Sequence, residues 1–284
     1  MLSHSFLVSG AQGQLGRAFE RYFQKNGQPF YCLSKAQFNI ADSDQVHSVV
    51  KELKPSVVIN CAAFNNVDLA QSCPQDALAV NAHGVATLAQ ICRDQKIFLV
   101  HYSTDYVFSG EKKAPYDEKD MPDPINQYGA TKLQGEQAVT NLLNDHLLLR
   151  VSWVFGQGER NFLFKASQWA QERKELRIAD DEVSCPSFVD DIVSTTLLAF
   201  SRGLTGLYHA NNTGFCSRYA WVKFFFQNAG INNTIVPVSA DEFPLPAKRP
   251  RFSAMSNQSL SGALRISIPS WQDAVVKFVQ TYKD

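Results

Sequence analysis

The chain has 284 residues, 45% of them hydrophobic, enough to build one large domain or two small ones. Lys plus Arg and Asp plus Glu number 27 each, so no overall field draws it to nucleic acid or to an anionic membrane. The apolar run Phe6-Leu7-Val8 is too short for a signal segment and no stretch approaches a membrane span. The six scattered cysteines, without a C-x-x-C pair, fit a reduced, cytoplasmic protein, and with the histidines they form no metal-ligand spacing.

Residues 6–9 read as a first strand. Residues 14–25 form a helix with Leu15, Ala18, Phe19 and Tyr22 on one face, stopped by Asn26-Gly27. A strand at 29–33, a short amphipathic helix at 45–53 and a β-branched strand at 56–60 follow. Then come a helix over 75–94, a strand at 97–102, a long helix over 126–143 and a strand at 146–152 that ends at Trp153. This alternation predicts βαβ units on a doubly wound parallel sheet. Beyond about residue 155 it loosens: helices at 162–172 and 190–200, a strand at 206–210, an aromatic helix at 218–228, a strand at 235–238 and a last helix at 272–282. The expected architecture is an α/β, Rossmann-like domain over 1–155, with a smaller C-terminal α/β lobe over 156–284 for substrate, interleaved with the first wherever the chain crosses back.

Between the first strand and first helix lies Gly10-x-x-Gly13-x-x-Gly16. There Gly10 makes the tight turn, Gly13 admits a pyrophosphate to the backbone and Gly16 lets the helix pack close, with its N-terminus facing the anion. An NAD-selective site places an acid at the end of the second strand; here Ser34-Lys35 stand there, which suits the 2′-phosphate of NADPH, with NADH as the alternative. Ala62 and Ala63 after the third strand are small enough to let the cofactor reach the sheet edge.

Downstream come Ser103-Thr104-Asp105 and Tyr128-x-x-x-Lys132. A carbonyl being reduced develops charge on oxygen and needs a proton donor and a dipole aimed at it. Tyr128 is the candidate donor. Lys132, one helical turn on, would lower the phenol's pKa and hold the nicotinamide ribose. Thr104 can donate to the same oxygen, and Asp105 can orient a substrate hydroxyl or the acid. The bland alternatives are a space-saving turn and a solvated Tyr/Lys helix pair.

With Val58-Ile-Asn-Cys-Ala-Ala63, His101-Tyr-Ser-Thr-Asp-Tyr-Val-Phe108, Tyr128-Gly-Ala-Thr-Lys132 and Pro246-Ala-Lys-Arg-Pro250, the chain resembles the extended short-chain dehydrogenase/reductases over almost its whole length. The resemblance implies NADPH-dependent reduction of the 4-keto group of a dTDP-linked 6-deoxyhexulose to dTDP-L-rhamnose, with a homodimer as one oligomeric state open to it. It places Gly13, Gln14, Leu15, Ser34, Asn39, Ile40, Ala63, Phe64, Asn65, Tyr102, Tyr128 and Lys132 at the cofactor, and Thr104, Asp105 and Trp153 at the sugar nucleotide. It gives no basis for a metal site. The family commonly has an acid at Ser34, Asp-Ile at Asn39-Ile40, and Asp-Gln-x-Gly-x-Pro-Thr where this chain has Asp181-Glu-Val-Ser-Cys-Pro-Ser187. Tyr106, where a related dehydratase carries glutamate, argues against water elimination. The competing readings are a reductase giving the 6-deoxytalose epimer, a non-catalytic reductase-like subunit of methionine adenosyltransferase, and, more weakly, a nucleic-acid patch at Lys248, Arg249 and Arg251.

Overall fold

The computed structural model describes residues 4–282. The first half supplies β1 (Phe6–Ser9), α1 (Gln14–Asn26), β2 (Phe30–Leu33), α2 (Ser43–Leu53), β3 (Val57–Asn60), α3 (Val67–Ser72) and α4 (Pro74–Leu78). A π-helical turn, Ala79–Gly84, leads into α5 (Val85–Gln95), and then come β4 (Phe98–Thr104), α6 (Gln127–Leu142) and β5 (His146–Val151). The second half contains β6 (Val154–Phe155), α7 (Phe162–Glu172), β7 (Glu175–Ala179), β8 (Val183–Ser184), β9 (Ser187–Phe188), α8 (Val189–Ser201) and β10 (Gly206–His209). It closes with β11 (Cys216–Ser217), α9 (Arg218–Ala229), β12 (Thr234–Val238), α10 (Gln258–Leu264) and α11 (Trp271–Tyr282).

Six parallel strands form one sheet in the order β2-β1-β3-β4-β5-β10. The chain runs outward from β1 to β2 and then returns to the other side of β1 as β3, so the strand order reverses between β1 and β3. A crevice opens at the carboxyl ends of the strands at such a switch point. Alternate residues feed two cores: Phe6, Val8, Ile59, Leu147 and Leu149 pack with α1 and α8 on one face. Leu7, Val58, Leu99 and Leu148 pack with α2, α5 and α6 on the other. Burial on both faces explains why these strands read as continuous apolar runs. The remaining strands pair as β7 with β12, β8 with β11 and β6 with β9, beside α7, α9 and α11. β10 returns to the main sheet from this second half, pairing with β5.

The helix expected over 75–94 is interrupted by the π turn, and its extra residue has a use. The Asn81 side chain there accepts from the Phe64 N–H at 2.9 Å and donates to the Phe64 carbonyl at 3.0 Å and to Thr131 Oγ1 at 3.2 Å. It thereby pins the loop after β3 against α6. Gly135 makes the approach feasible, since a Cβ there would strike the Asn81 carbonyl. Some elements carried no expectation: α3, which starts at an Asn66 cap accepting from Leu69 N at 3.0 Å, the strand β7, the two-residue strands β6, β8, β9 and β11, and α10.

Candidate active site

The glycine turn is built as its sequence requires. Gly10 has φ +72°, and a Cβ on it would sit 2.9 Å from the Ala62 nitrogen, so only glycine lets the turn close onto the end of β3. A Cβ at Gly16 would strike the Gly10 carbonyl, which fixes α1 tightly on the turn. The Gly13 N–H bonds back to the Gly10 carbonyl at 2.9 Å, and α1 begins without a side-chain cap, which leaves its first N–H groups for an anion. Beside the turn a groove of about 530 Å³ is lined by Gln12, Lys35, Ala36, Asn39, Asp42 and Gln45. Asp42 is occupied capping α2 through Gln45 N at 3.0 Å. A glycine cradle leading into a groove with one flanking lysine and no free acid at the end of β2 fits a phosphorylated dinucleotide.

A second cleft, about 390 Å³, holds Thr104, Asp105, Tyr128 and Trp153 together with Gln14 and Ser103. Three buried polar atoms in it have no partner among the described residues: Gln14 Oε1, Ser103 Oγ and Trp221 Nε1. Buried polar groups are ordinarily paired, so these mark a lining shaped for a polar ligand. Trp153, with φ +39°, holds a backbone conformation that a bulky residue rarely adopts. Its ring stacks on Trp221 at 5.5 Å, and the Arg218 guanidinium lies 4.3 Å over it and 4.8 Å over Phe162. Arg218 also pairs with Glu182 at 2.7 Å. Phe162 and Arg218 continue into an adjoining cavity of about 470 Å³ lined by Trp169, Arg177, Phe243 and Arg249, large and aromatic enough for a base. Neither Phe162 nor Arg218 stood out in the sequence, because nothing about an arginine opening an aromatic helix marks it before the fold brings it to Trp153.

Tyr128 lies on the first turn of α6, capped by Asn126, whose side chain accepts from Gly129 N at 2.8 Å. Burial pushes the phenol's pKa up; a hydrogen bond with Thr104 opposes this, and the charge of Asp105 adds to it. The Lys132 ammonium group is buried and turned to the Tyr102 carbonyl, to which it donates at 2.5 Å, and it is not among the groups acting on the phenol. Burial lowers the pKa of Lys132 itself to about 8, opposed by Glu136. The Tyr102 hydroxyl is bonded to Thr196 Oγ1 at 2.7 Å in the core, which leaves only its main chain for any ligand. The Ile40 side chain is likewise in the core, leaving only its backbone for any ligand.

Asp105 also differs from expectation. Its carboxylate accepts from Ser253 Oγ at 2.5 Å, Ser184 Oγ at 2.9 Å and Thr104 Oγ1 at 3.1 Å, so it ties the end of β4 to two distant segments rather than offering free oxygens to a substrate. Burial raises its pKa to about 6 against these bonds. The raised value means that folding favours the neutral acid. That contribution is complete below about pH 4 and is lost as pH rises through about 6. Urea midpoints measured from pH 4 to pH 7 should therefore carry a falling component that Asp105→Asn removes.

The three basic residues near the C-terminal prolines are largely spoken for. Arg249 pairs with Asp68 at 2.6 Å, and Arg251 pairs with Asp181 at 2.9 Å and with Asp241. Among the described residues no group of three or more His, Cys, Asp or Glu is placed to hold a metal ion, and no helix is long and apolar enough to cross a membrane.

A family model described as the RmlD substrate binding domain matches residues 4–284. A dTDP-4-dehydrorhamnose reductase of Burkholderia thailandensis is 34% identical over 286 residues, covering 95% of this chain and 96% of that one. A dTDP-4-keto-6-deoxy-D-glucose reductase of Streptomyces niveus is 32% identical, covering 97% and 96%. Among solved structures, a dTDP-4-dehydrorhamnose reductase from Bacillus anthracis in complex with NADP is similar with a TM-score of 0.95 at 33% identity, over 99% of this chain and 100% of that one.

Proposed function

From the premise that the chain belongs to the RmlD substrate binding domain family, we propose that it is a dTDP-4-dehydrorhamnose reductase, reducing the 4-keto group of dTDP-4-dehydro-6-deoxy-L-mannose to give dTDP-L-rhamnose with NADPH. The observation that carries this reading is the convergence of Thr104 and Tyr128 in one cleft, beside a glycine turn built for a dinucleotide. Bound NADPH supplies the hydride. The turn from Gly10 through Gly16, with Gln14 and Leu15, holds the pyrophosphate. Ser34, Lys35 and Asn39, with the Ile40 main chain, take the adenosine end, and Ala62, Ala63, Phe64 and Asn65 border the cofactor along the loop after β3. Lys132, with the Tyr102 carbonyl, receives the nicotinamide ribose.

Tyr128 donates the proton to the carbonyl oxygen as charge develops there, and Thr104, whose single hydroxyl proton turns from Asp105 to the substrate once it binds, donates a hydrogen bond to the same oxygen. The raised pKa of Tyr128 keeps its proton in place near neutrality, as a donor in the reductive direction requires, and a sugar alkoxide is basic enough to take it. Trp153 and the Arg218 stacked on it form the wall for the sugar nucleotide, and Asp105 fixes Thr104. Residues 1–155 form the dinucleotide part in this reading, and 156–284 contribute mainly to the substrate side. Cytoplasmic placement, supported by six free cysteines, and a homodimer without nucleic-acid partners complete it; sedimentation velocity tests the last.

The decisive experiment follows NADPH and NADH oxidation with the 4-keto substrate made in situ and identifies the product. Turnover to dTDP-L-rhamnose with NADPH preferred is expected, and Lys35→Ala should lower kcat/KM for NADPH about tenfold, the scale of one charge-assisted hydrogen bond, while leaving NADH unchanged. An equal loss with both cofactors would remove Lys35 from the 2′-phosphate. The Streptomyces niveus relative favours one second reading, a ketone of the D-gluco series, which the same product analysis separates.

A further inference from the structure

The end of β4 carries a hydroxyl whose one proton is in demand twice. Thr104 Oγ1 accepts from the Tyr106 N–H at 3.2 Å, which takes one of its two lone pairs, and it lies 3.1 Å from Asp105 Oδ1. Its remaining direction opens on the cleft that also holds Tyr128. One proton and one lone pair are left to serve Asp105 and the cleft. An ionised Asp105 only accepts, so the proton points at it and the lone pair at the cleft, where it repels a ketone oxygen and draws the Tyr128 proton to itself. A protonated Asp105 reverses both: the acid donates to the lone pair, and the hydroxyl proton turns to the ketone. The other carboxylate oxygen decides where the acid's proton sits. Ser253 Oγ and Ser184 Oγ each have Oδ2 as nearest acceptor, at 2.5 and 2.9 Å, ahead of Ser184 Oγ at 3.1 Å and the Ser253 carbonyl at 3.4 Å. Oδ2 is thereby filled, and Oδ1, facing Thr104, is the oxygen left to take a proton.

We infer that Asp105 is a positioning residue that carries a proton on Oδ1 whenever the ketone is bound, because only the neutral acid lets Thr104 and Tyr128 both donate to the reacting oxygen. Burial favours that form, while the three hydroxyls and the residue's own N–H favour the carboxylate. The balance falls at about 6, close enough to neutrality for a bound ligand to tip it. No charged group sets it. Arg160 and Arg218, the cations lining the cleft, are not among the groups acting on Asp105. Tyr106 beside it, Tyr128 of α6 and Cys185 after β8 all keep their protons well above neutrality. Glu182, Arg218 and Arg249 act on Tyr106 instead. Ketone binding above about pH 6 is therefore accompanied by uptake of one proton from solution, and the proton that Tyr128 delivers is a separate one.

The inference rests on the reductase reading of the cleft and is tested on the full-length protein with saturating NADPH and the 4-keto nucleotide sugar. In the native protein kcat/KM for the ketone should fall about tenfold per pH unit above about pH 6, the signature of one required proton. Asp105→Asn can turn its NH₂ to Thr104 and its oxygen to the two serines, so its profile should be flat through the same range. Ser253→Ala removes a bond that favours the carboxylate and should move the limb upward by about one pH unit. Thr104→Val should slow the reaction and abolish the limb, since Asp105 acts only through that hydroxyl. Turnover without a native limb, a limb that Asp105→Asn or Ser253→Ala leaves in place, or one that persists in Thr104→Val overturns the proposal and spares the reductase reading. No turnover of the ketone at any pH sinks both. Should Asp105→Asn fail to fold, Ser253→Ala and Thr104→Val decide.

Discussion

Tyr128→Phe should lower kcat by roughly 10²- to 10⁴-fold, the usual worth of a positioned general acid, while NADPH affinity changes little. The substitution removes one oxygen from a ring held edge-on to Tyr106 at 5.9 Å, so the wall of the cleft keeps its shape. What disappears is the proton that must reach the carbonyl oxygen as hydride arrives. Thr104 remains as a hydrogen-bond donor to that oxygen, which is why residual turnover is expected rather than none. Single-turnover oxidation of NADPH with the 4-keto substrate makes the measurement. A loss under threefold would transfer the acid role elsewhere in the cleft, with Asp105, whose pKa is near 6, the first residue to examine.

Glu136→Ala should cost the fold about 3–5 kcal/mol, the scale for removing one member of a buried ion pair. Arg150 donates to both carboxylate oxygens of Glu136, at 2.9 Å from Nε and 2.6 Å from Nη2, and neither side chain is more than 6% exposed. Without the carboxylate, the guanidinium over the Phe108 ring, 5.0 Å away, is left with a full charge and no carboxylate hydrogen-bonded to it. At this chain length the loss corresponds to a melting temperature lower by roughly 10 °C, read by scanning calorimetry. Arg150→Met in the same background should recover much of it, because the pair taken together gains little over an apolar replacement. Recovery that fails would assign the stability to packing around Glu136 instead.

Most of the dinucleotide half was legible because its signals are local. Buried parallel strands such as β3 are β-branched runs, and helix ends carry their own punctuation, as Gly27 does with φ +62° after α1. The glycine spacing and the Tyr128/Lys132 pair are short-range patterns that the fold leaves intact. What escaped was set by distant partners. The π turn at Ala79–Gly84 exists to bring Asn81 to the Phe64 backbone, a demand invisible in a helical stretch. The short α3 had its Asn66 cap in plain view, but too few residues followed to show a period. Likewise the pairing of Asp105 with Ser184 and Ser253, and the stacking of Arg218 on Trp153, depend on segments that meet only after the chain has doubled back. Adjacency on a helix put Lys132 beside the phenol, but its bond to the carbonyl of Tyr102 on β4 depends on a strand the helix meets only in the fold.

The three-way grip of Asp105 also bears on the order in which the chain matures. Its partners lie 79 and 148 positions away in sequence, so the carboxylate cannot be satisfied until residue 253 has docked. A nascent chain emerging amino-terminus first could assemble β1 to β5 and even engage a dinucleotide, yet would hold Thr104 beside an unsatisfied acid at an open rim. Contacts of such long sequence separation form slowly. Competence to accept the sugar nucleotide is thus withheld until synthesis is almost finished.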